Sequence, residues 1–149
     1  MKHKSKTFAV LTIFVLFAVA ALAGQESIKI SAYDTMKYSV TKIVVHSGDK
    51  VTVTLTNEGN LPKQAMGHNW VLLQAGVDPN AYSRLAINAK DSDYQPKSLA
   101  SRVIAAIPVL GPKESGSVTF TAPAPGTYPY LCSFPAHCGA GMNGILIVQ

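Results

Sequence analysis

Strict alternation along KVTVTLTN, residues 50 to 57, is the feature that most constrains this chain. Val51, Val53 and Leu55 fall on one side of an extended backbone, and Thr52, Thr54 and Thr56 on the other. Such a segment buries one face and wets the other only as a β-strand. The pattern recurs in SVTFT, where Val118 and Phe120 are the apolar members. Further candidate strands are SIKISAY, KIVV, NWVLLQ, RVIAAI, TYPYLC and GILIV, separated by the turn sequences HSGD, NEGN, GPKESG and APAPG. Seven or eight strands predict an all-β antiparallel sandwich or barrel. Residues 75–100 break the rhythm: DPNAYSRLAINAK predicts a helix capped by Asp78 with Pro79 in its first position, inserted between two strands.

The chain opens MKHKSKTFAVLTIFVLFAVAALAGQES. Lys2, Lys4 and Lys6 precede an apolar run from Phe8 to Ala21, and Ala21, Leu22 and Ala23 supply a small-residue cleavage pattern. Residues 1–23 are therefore expected to be a cleaved secretion signal. Residues 24–149 would form one domain of about 126 residues, enough for a core without staples, in the periplasm or otherwise exported. The apolar run is short for a membrane span and no stop-transfer charges follow it, so membrane association is not expected. LAGQ resembles a lipoprotein cleavage box with Gln25 in place of the modified cysteine, which argues against lipid attachment. Three lysines of the +5 net charge lie in the leader, and the remaining balance of about +2 does not point to nucleic acid.

In YLCSFPAHCGAGMNG, residues 130–144, Cys132, His137 and Met142 have the spacing C-x4-H-x4-M, and His68 lies 64 residues upstream of Cys132. A thiolate, two imidazoles and a thioether suit copper, which such a mixed set tolerates as both Cu(I) and Cu(II). Cys132 ends a strand on which Tyr128 and Tyr130 share its direction, so its sulfur faces inward. The turn SFPA, with Pro135 fixing one dihedral, can return His137 toward the same point, and His68 shares a strand face with Trp70 and Leu72. Other readings stand beside this one. A Cys132–Cys138 disulfide is sterically open and favoured by export. A Cys–His nucleophile is less well supported, because no orienting Asn or Asp and no oxyanion donor can be singled out. His46, in HSGD, reads as a surface histidine, and Met36 and Met66 read as ordinary core.

NLPKQAMGHNWVLL, residues 60–73, taken with CSFPAHCGAGMNG, resembles azurin and more broadly the cupredoxins, the small blue-copper proteins. YDTMKYSVTKIVV and DSDYQPKSLASRVIAAIPVLGPKESGSVTF extend the resemblance over most of the chain after the leader. It implies an eight-stranded Greek-key cupredoxin sandwich with the insertion at 75–100 as a flap, and one copper ion per chain serving a one-electron carrier rather than an enzyme. By matching positions, His68, Cys132 and His137 would be equatorial ligands, Met142 the axial thioether, and the Gly67 carbonyl a weak opposite axial contact. Asn69 would tie its strand to the loop near Ser133. Met36, Leu61, Ala65, Met66, Pro135, Ala136 and Ala140 would form an apolar electron port around His137, with Gly139 and Cys138 on it. Partners would be redox proteins such as cytochromes or copper enzymes, met transiently. The chain would be mainly a monomer, with a disulfide dimer through Cys138 as a further state.

Two features depart from the azurin pattern. The x4 spacing between His137 and Met142 is one residue longer and is that of plastocyanin and the auracyanins, so either the loop bulges or Met142 shifts. No cysteine precedes Cys132, so the azurin N-terminal disulfide is missing and Cys138 lacks a family partner. The competing function is copper trafficking or storage, with Cu(I) held by Cys132, Met142 and Cys138. A role as copper-donor domain of a multicopper enzyme would require another subunit.

Overall fold

The computed structural model describes residues 23–149, and the predicted leader, apart from Ala23, lies outside the described residues. The strands are β1 (Gln25–Tyr33), β2 (Lys37–Tyr38), β3 (Lys42–Val45), β4 (Lys50–Asn57), β5 (His68–Leu73), β6 (Val103–Leu110), β7 (Ser115–Thr121), β8 (Gly126–Leu131) and β9 (Asn143–Val148). They form two sheets, ordered β2-β1-β4-β7 and β3-β9-β8-β5-β6, packed as a β-sandwich. The strand beyond the expected eight is β2, two residues long, lying antiparallel to the end of β1.

The sheets are not purely antiparallel. β1 runs parallel to β4, and β3 parallel to β9. Between β1 and β4 the chain crosses to the second sheet to lay down β3, then returns, which leaves the first sheet's two central strands pointing the same way.

The alternation in β4 sorts its side chains as the sequence predicts. Val51, Val53 and Leu55 are fully buried, a gain of roughly 1.5–3 kcal/mol for each such side chain. On the outer face the Thr52, Thr54 and Thr56 hydroxyls meet Thr119, Ser117 and Ser115 of β7 at 2.9, 2.8 and 2.9 Å. Trp70 anchors the core, its ring 5.5 Å from that of Tyr130 and 6.3 Å from that of Phe120.

The insertion holds one α-helix and two 3-10 turns (Lys90–Ser92 and Lys97–Arg102). Its helix, α2 (Pro79–Ala86), starts where expected: Asp78 accepts from the Asn80 N–H at 2.9 Å and Pro79 occupies the first turn. It stops before the predicted Lys90. A single helical turn not anticipated from the sequence, α1 (Lys63–Met66), leads directly into β5.

Tyrosine hydroxyls tie elements together across the sandwich. Tyr128 donates to the Ala124 carbonyl at 2.7 Å and Tyr130 to the Val40 carbonyl at 2.8 Å. Tyr38, on β2, donates to the Asn69 carbonyl on β5 of the opposite sheet. At the start of β1 and β4, Asp49 accepts from the main-chain N–H groups of Gly24 and His46, each at 2.8 Å. The His46 side chain is exposed, as expected. Among the described residues no helix is long and apolar enough to cross a membrane.

Candidate metal centre

His68 opens β5, Cys132 follows the last residue of β8, and Met142 precedes β9, so three separate strand ends deliver them to one rim of the sandwich. The side-chain donors of His68, Cys132 and His137 lie within 4.8 Å of one another, and all three residues are buried. His68 Nδ1 is 3.2 Å from His137 Nδ1, and Cys132 Sγ is 3.4 Å from His137 Nδ1. Met142 is fully buried beside them in the sequence-adjacent loop.

The loop that carries His137 is wound tightly. His137 N–H donates to Phe134 O at 3.1 Å, Ala140 N–H to Ala136 O at 3.0 Å, and Met142 N–H to His137 O at 2.9 Å. The chain between His137 and Met142 is a wide turn closed by that last bond. Gly141, at φ +92, adopts the left-handed conformation the wide turn requires. Cys132 N–H then donates to Met142 O at 3.0 Å, closing the loop on itself.

A second layer of bonds fixes this arrangement. Asn69 accepts the Ser133 N–H at 2.8 Å and donates to Ser133 Oγ at 2.8 Å and to the Asp93 carbonyl at 2.9 Å. Ser133 Oγ donates to the Tyr94 carbonyl at 2.7 Å. The Asn69–Ser133 tie is the one the resemblance implies. The contributions of Asp93 and Tyr94 were missed, and their main-chain carbonyls carry no side-chain signature by which to find them. Tyr94 packs edge-on against Phe134, 5.0 Å between centroids, and Phe134 lies 4.7 Å from the His137 ring. The insertion therefore buttresses the site instead of merely flanking it.

Burial dominates the electrostatics. It pushes the Cys132 thiol up to about 12, although main-chain N–H groups of Asn69 and Phe134 and the Tyr38 hydroxyl pull it back. Burial, and then the neighbouring His68, hold His137 down to about 4, and burial lowers His68 as well. Both rings are thus neutral at ordinary pH, each with a lone pair to offer. Between two Nδ1 atoms 3.2 Å apart only one proton fits, so at least one Nδ1 presents a lone pair to the other donors. A soft or borderline cation suits these donors: it would satisfy both imidazoles and stabilise the thiolate that burial opposes.

The two cysteines are free, which sets aside the disulfide. Cys138 is corrected in a second respect. It is 2% exposed, with Sγ 3.5 Å from Asn80 Oδ1 under α2, not on the surface patch, so it offers no accessible thiol for a disulfide dimer. The wholly buried Cys132 likewise gives no substrate access to a Cys–His nucleophile. Gly67 is buried where an added Cβ would lie 2.5 Å from Val109 Cγ1. Around His137, itself 2% exposed, Ala136, Gly139 and Ala140 are exposed and Pro135 is half-buried. Leu61 and Ala65 are exposed and Met66 half-buried just ahead of His68. Met36 is half-buried next to Lys37, whose ammonium donates to Ala140 O at 2.6 Å.

A buried thiol and two neutral imidazoles on the rim of a rigid β-sandwich define a copper-binding protein of the cupredoxin class. A family model described as copper binding proteins, plastocyanin/azurin family, matches residues 25–149, and the chain belongs to that family. It is 37% identical to azurin of Bordetella pertussis over 140 residues, covering 91% of this chain and 92% of that protein. It is 39% identical over 119 residues to auracyanin-B of Chloroflexus aurantiacus, covering 79% of this chain and only 49% of that protein, so it spans about half the length of that relative. Among solved structures, auracyanin A, a "blue" copper protein from Chloroflexus aurantiacus, superposes with a TM-score of 0.76 at 30% identity, covering 85% of this chain and all (100%) of that one.

Proposed function

We propose that the chain is an exported one-electron carrier holding a single type 1 copper ion. Cys132, His68 and His137 would be its principal ligands, with the Met142 thioether and the Gly67 carbonyl as weaker contacts. The observation that carries this reading is the meeting of three buried donors within 4.8 Å at one rim of a braced sandwich. When bound, copper supplies one reversible electron between its Cu(I) and Cu(II) states. The chain's own residues do the rest. Burial excludes water from the donors, and the Asn69–Ser133 bonds keep the Cys132 turn from relaxing when charge changes, which suits a carrier whose geometry should alter little.

Enclosed donors leave no room for a substrate at Cys132, which supports a carrier over an enzyme. The trafficking alternative loses its third donor, because Cys138 Sγ is turned toward Asn80. Electrons would pass by way of the His137 edge, through an apolar port of Met36, Leu61, Ala65, Met66, Pro135, Ala136 and Ala140, to redox proteins met briefly. Residues 1–23 would direct export to the periplasm and be removed.

Titrating the purified domain, residues 24–149, with Cu(II) tests the reading. An intense visible thiolate-to-copper charge-transfer band with a narrow copper hyperfine splitting is expected. A colourless product at one equivalent would overturn it.

A further inference from the structure

The pairing of β5 with β6 steps from His68 opposite Leu110 to Trp70 opposite Ile107, and β5 pairs with β8 only at Val71 and Leu72. Asn69 therefore has no ladder partner on either side, although it is completely buried. A buried carbonyl in that position needs a donor from elsewhere. The donor is the phenol of Tyr38, which reaches across from the opposite sheet.

Residue 69 is consequently held at three points. Its N–H faces the Cys132 sulfur. Its side chain grips Ser133, the residue after Cys132, at 2.8 Å. Its carbonyl is fixed by Tyr38. The phenol also lies beside the Cys132 sulfur, and the Tyr38 ring is kept in place by Tyr130, 5.9 Å away. The adjacent Lys37 donates to Ala140 O at 2.6 Å, so the two-residue β2 braces both β5 and the His137 loop.

We propose that Tyr38 is a positioning residue of the metal centre: its hydroxyl fixes the unpaired Asn69 backbone and, through it, the Cys132 turn. This rests on the copper-carrier reading for its spectroscopic half alone. β2 is then a strut joining the first sheet to the ligand-bearing rim of the second.

Tyr38→Phe keeps the ring and deletes the hydroxyl, and with it both the bond to the Asn69 carbonyl and the contact with the Cys132 sulfur, so Ser133 exchange in the metal-free protein is the readout of positioning. Tyr130→Phe, which deletes a comparable bond to Val40 O, is the control. In the metal-free protein, Tyr38→Phe should raise amide hydrogen exchange at Ser133 about tenfold, the scale of one lost buried hydrogen bond, with β4 and β7 unaffected. In the copper-loaded protein it should shift the charge-transfer band and the hyperfine splitting, whereas Tyr130→Phe should lower thermal stability and leave both spectra in place. Unchanged Ser133 exchange and unchanged spectra in Tyr38→Phe would overturn the proposal and reduce Tyr38 to a packing residue. A wild-type protein that takes up copper without colour would overturn the carrier reading, yet the exchange result would still decide the role of Tyr38.

Discussion

His68 Nδ1 and His137 Nδ1 face each other across 3.2 Å with their ring centroids 4.9 Å apart, buried and without a carboxylate among the converging donors. Protonating both rings would set two positive charges against each other out of water. Burial first, and His68 second, take His137 from its ordinary 6.5 down to about 4, and burial lowers His68 in the same direction. Between those values the unfolded chain binds protons that the fold refuses. The metal-free protein therefore keeps its full stability above about pH 6.5 and loses it progressively as pH falls toward 4. Urea titrations at pH 7 and 4.5 should show this loss, and His137→Gln should flatten it. An equal slope in the variant would place the titration on another group.

The two cysteines should respond in opposite ways to serine. Cys132→Ser removes the thiolate and should abolish the visible band of the copper-loaded protein while leaving the fold intact. Cys138→Ser should keep the band, because its sulfur lies 3.5 Å from Asn80 Oδ1 and is not among the three converging donors. Repacking that enclosed site costs about 1 kcal/mol. Absorption spectra and melting curves check both, and a colourless Cys138 variant would reverse the assignment.

Gly67 admits no side chain. A Cβ there would sit 2.5 Å from Val109 Cγ1 and 2.6 Å from the Lys63 carbonyl, and the second neighbour is main chain that cannot swing aside. Gly67→Ala should destabilise the metal-free protein by about 1–3 kcal/mol, the usual cost of overpacking. Denaturant unfolding measures it, and a neutral result would mean that α1 shifts freely.

Asp49 accepts the main-chain N–H groups of His46 and Gly24, and these bonds hold its carboxyl below the ordinary 3.8. A lowered folded-state value gives stability that is complete above the unfolded value and disappears as pH drops through the folded one. Asp49→Asn should therefore melt at a lower temperature than wild type at pH 7, with the gap closing as pH is taken below about 3.8. A gap that persists at pH 3 would show that charge is not what the site uses.

Electron exchange tests the proposed port. Met66→Lys puts a cation on the half-buried position just before Gly67. Self-exchange between copper-loaded molecules should slow on the order of tenfold at low salt, since two ports then carry like charges, while the copper spectrum stays the same. An unaltered rate would move the port away from His137.

The His68, Cys132 and His137 cluster was legible because its chemistry is rare and because His68 and Cys132 fall at strand ends, where alternation already fixes which way a side chain points. Alternation also placed Val51, Val53 and Leu55 correctly. It says nothing about strand direction, so the parallel pairing of β1 with β4 was not legible. α1, four residues long, is too short to show a helical period. The braces from Asp93, Tyr94 and Tyr38 act between a hydroxyl or amide and a distant carbonyl, and every residue has a carbonyl. The orientation of Cys138 depends on where α2 docks, which local sequence does not encode.

The hydrogen bond from Cys132 N–H to Met142 O pins the two ends of the ligand loop to each other at 3.0 Å, and the β8–β9 register begins immediately outside it with Leu131 opposite Asn143. Whatever length of chain lies between those ends, the sheet below is already closed. A residue inserted or deleted between those ends would be absorbed above the clasp without propagating into strand pairing. The loop is therefore a replaceable fitting on a mount that is already complete without it.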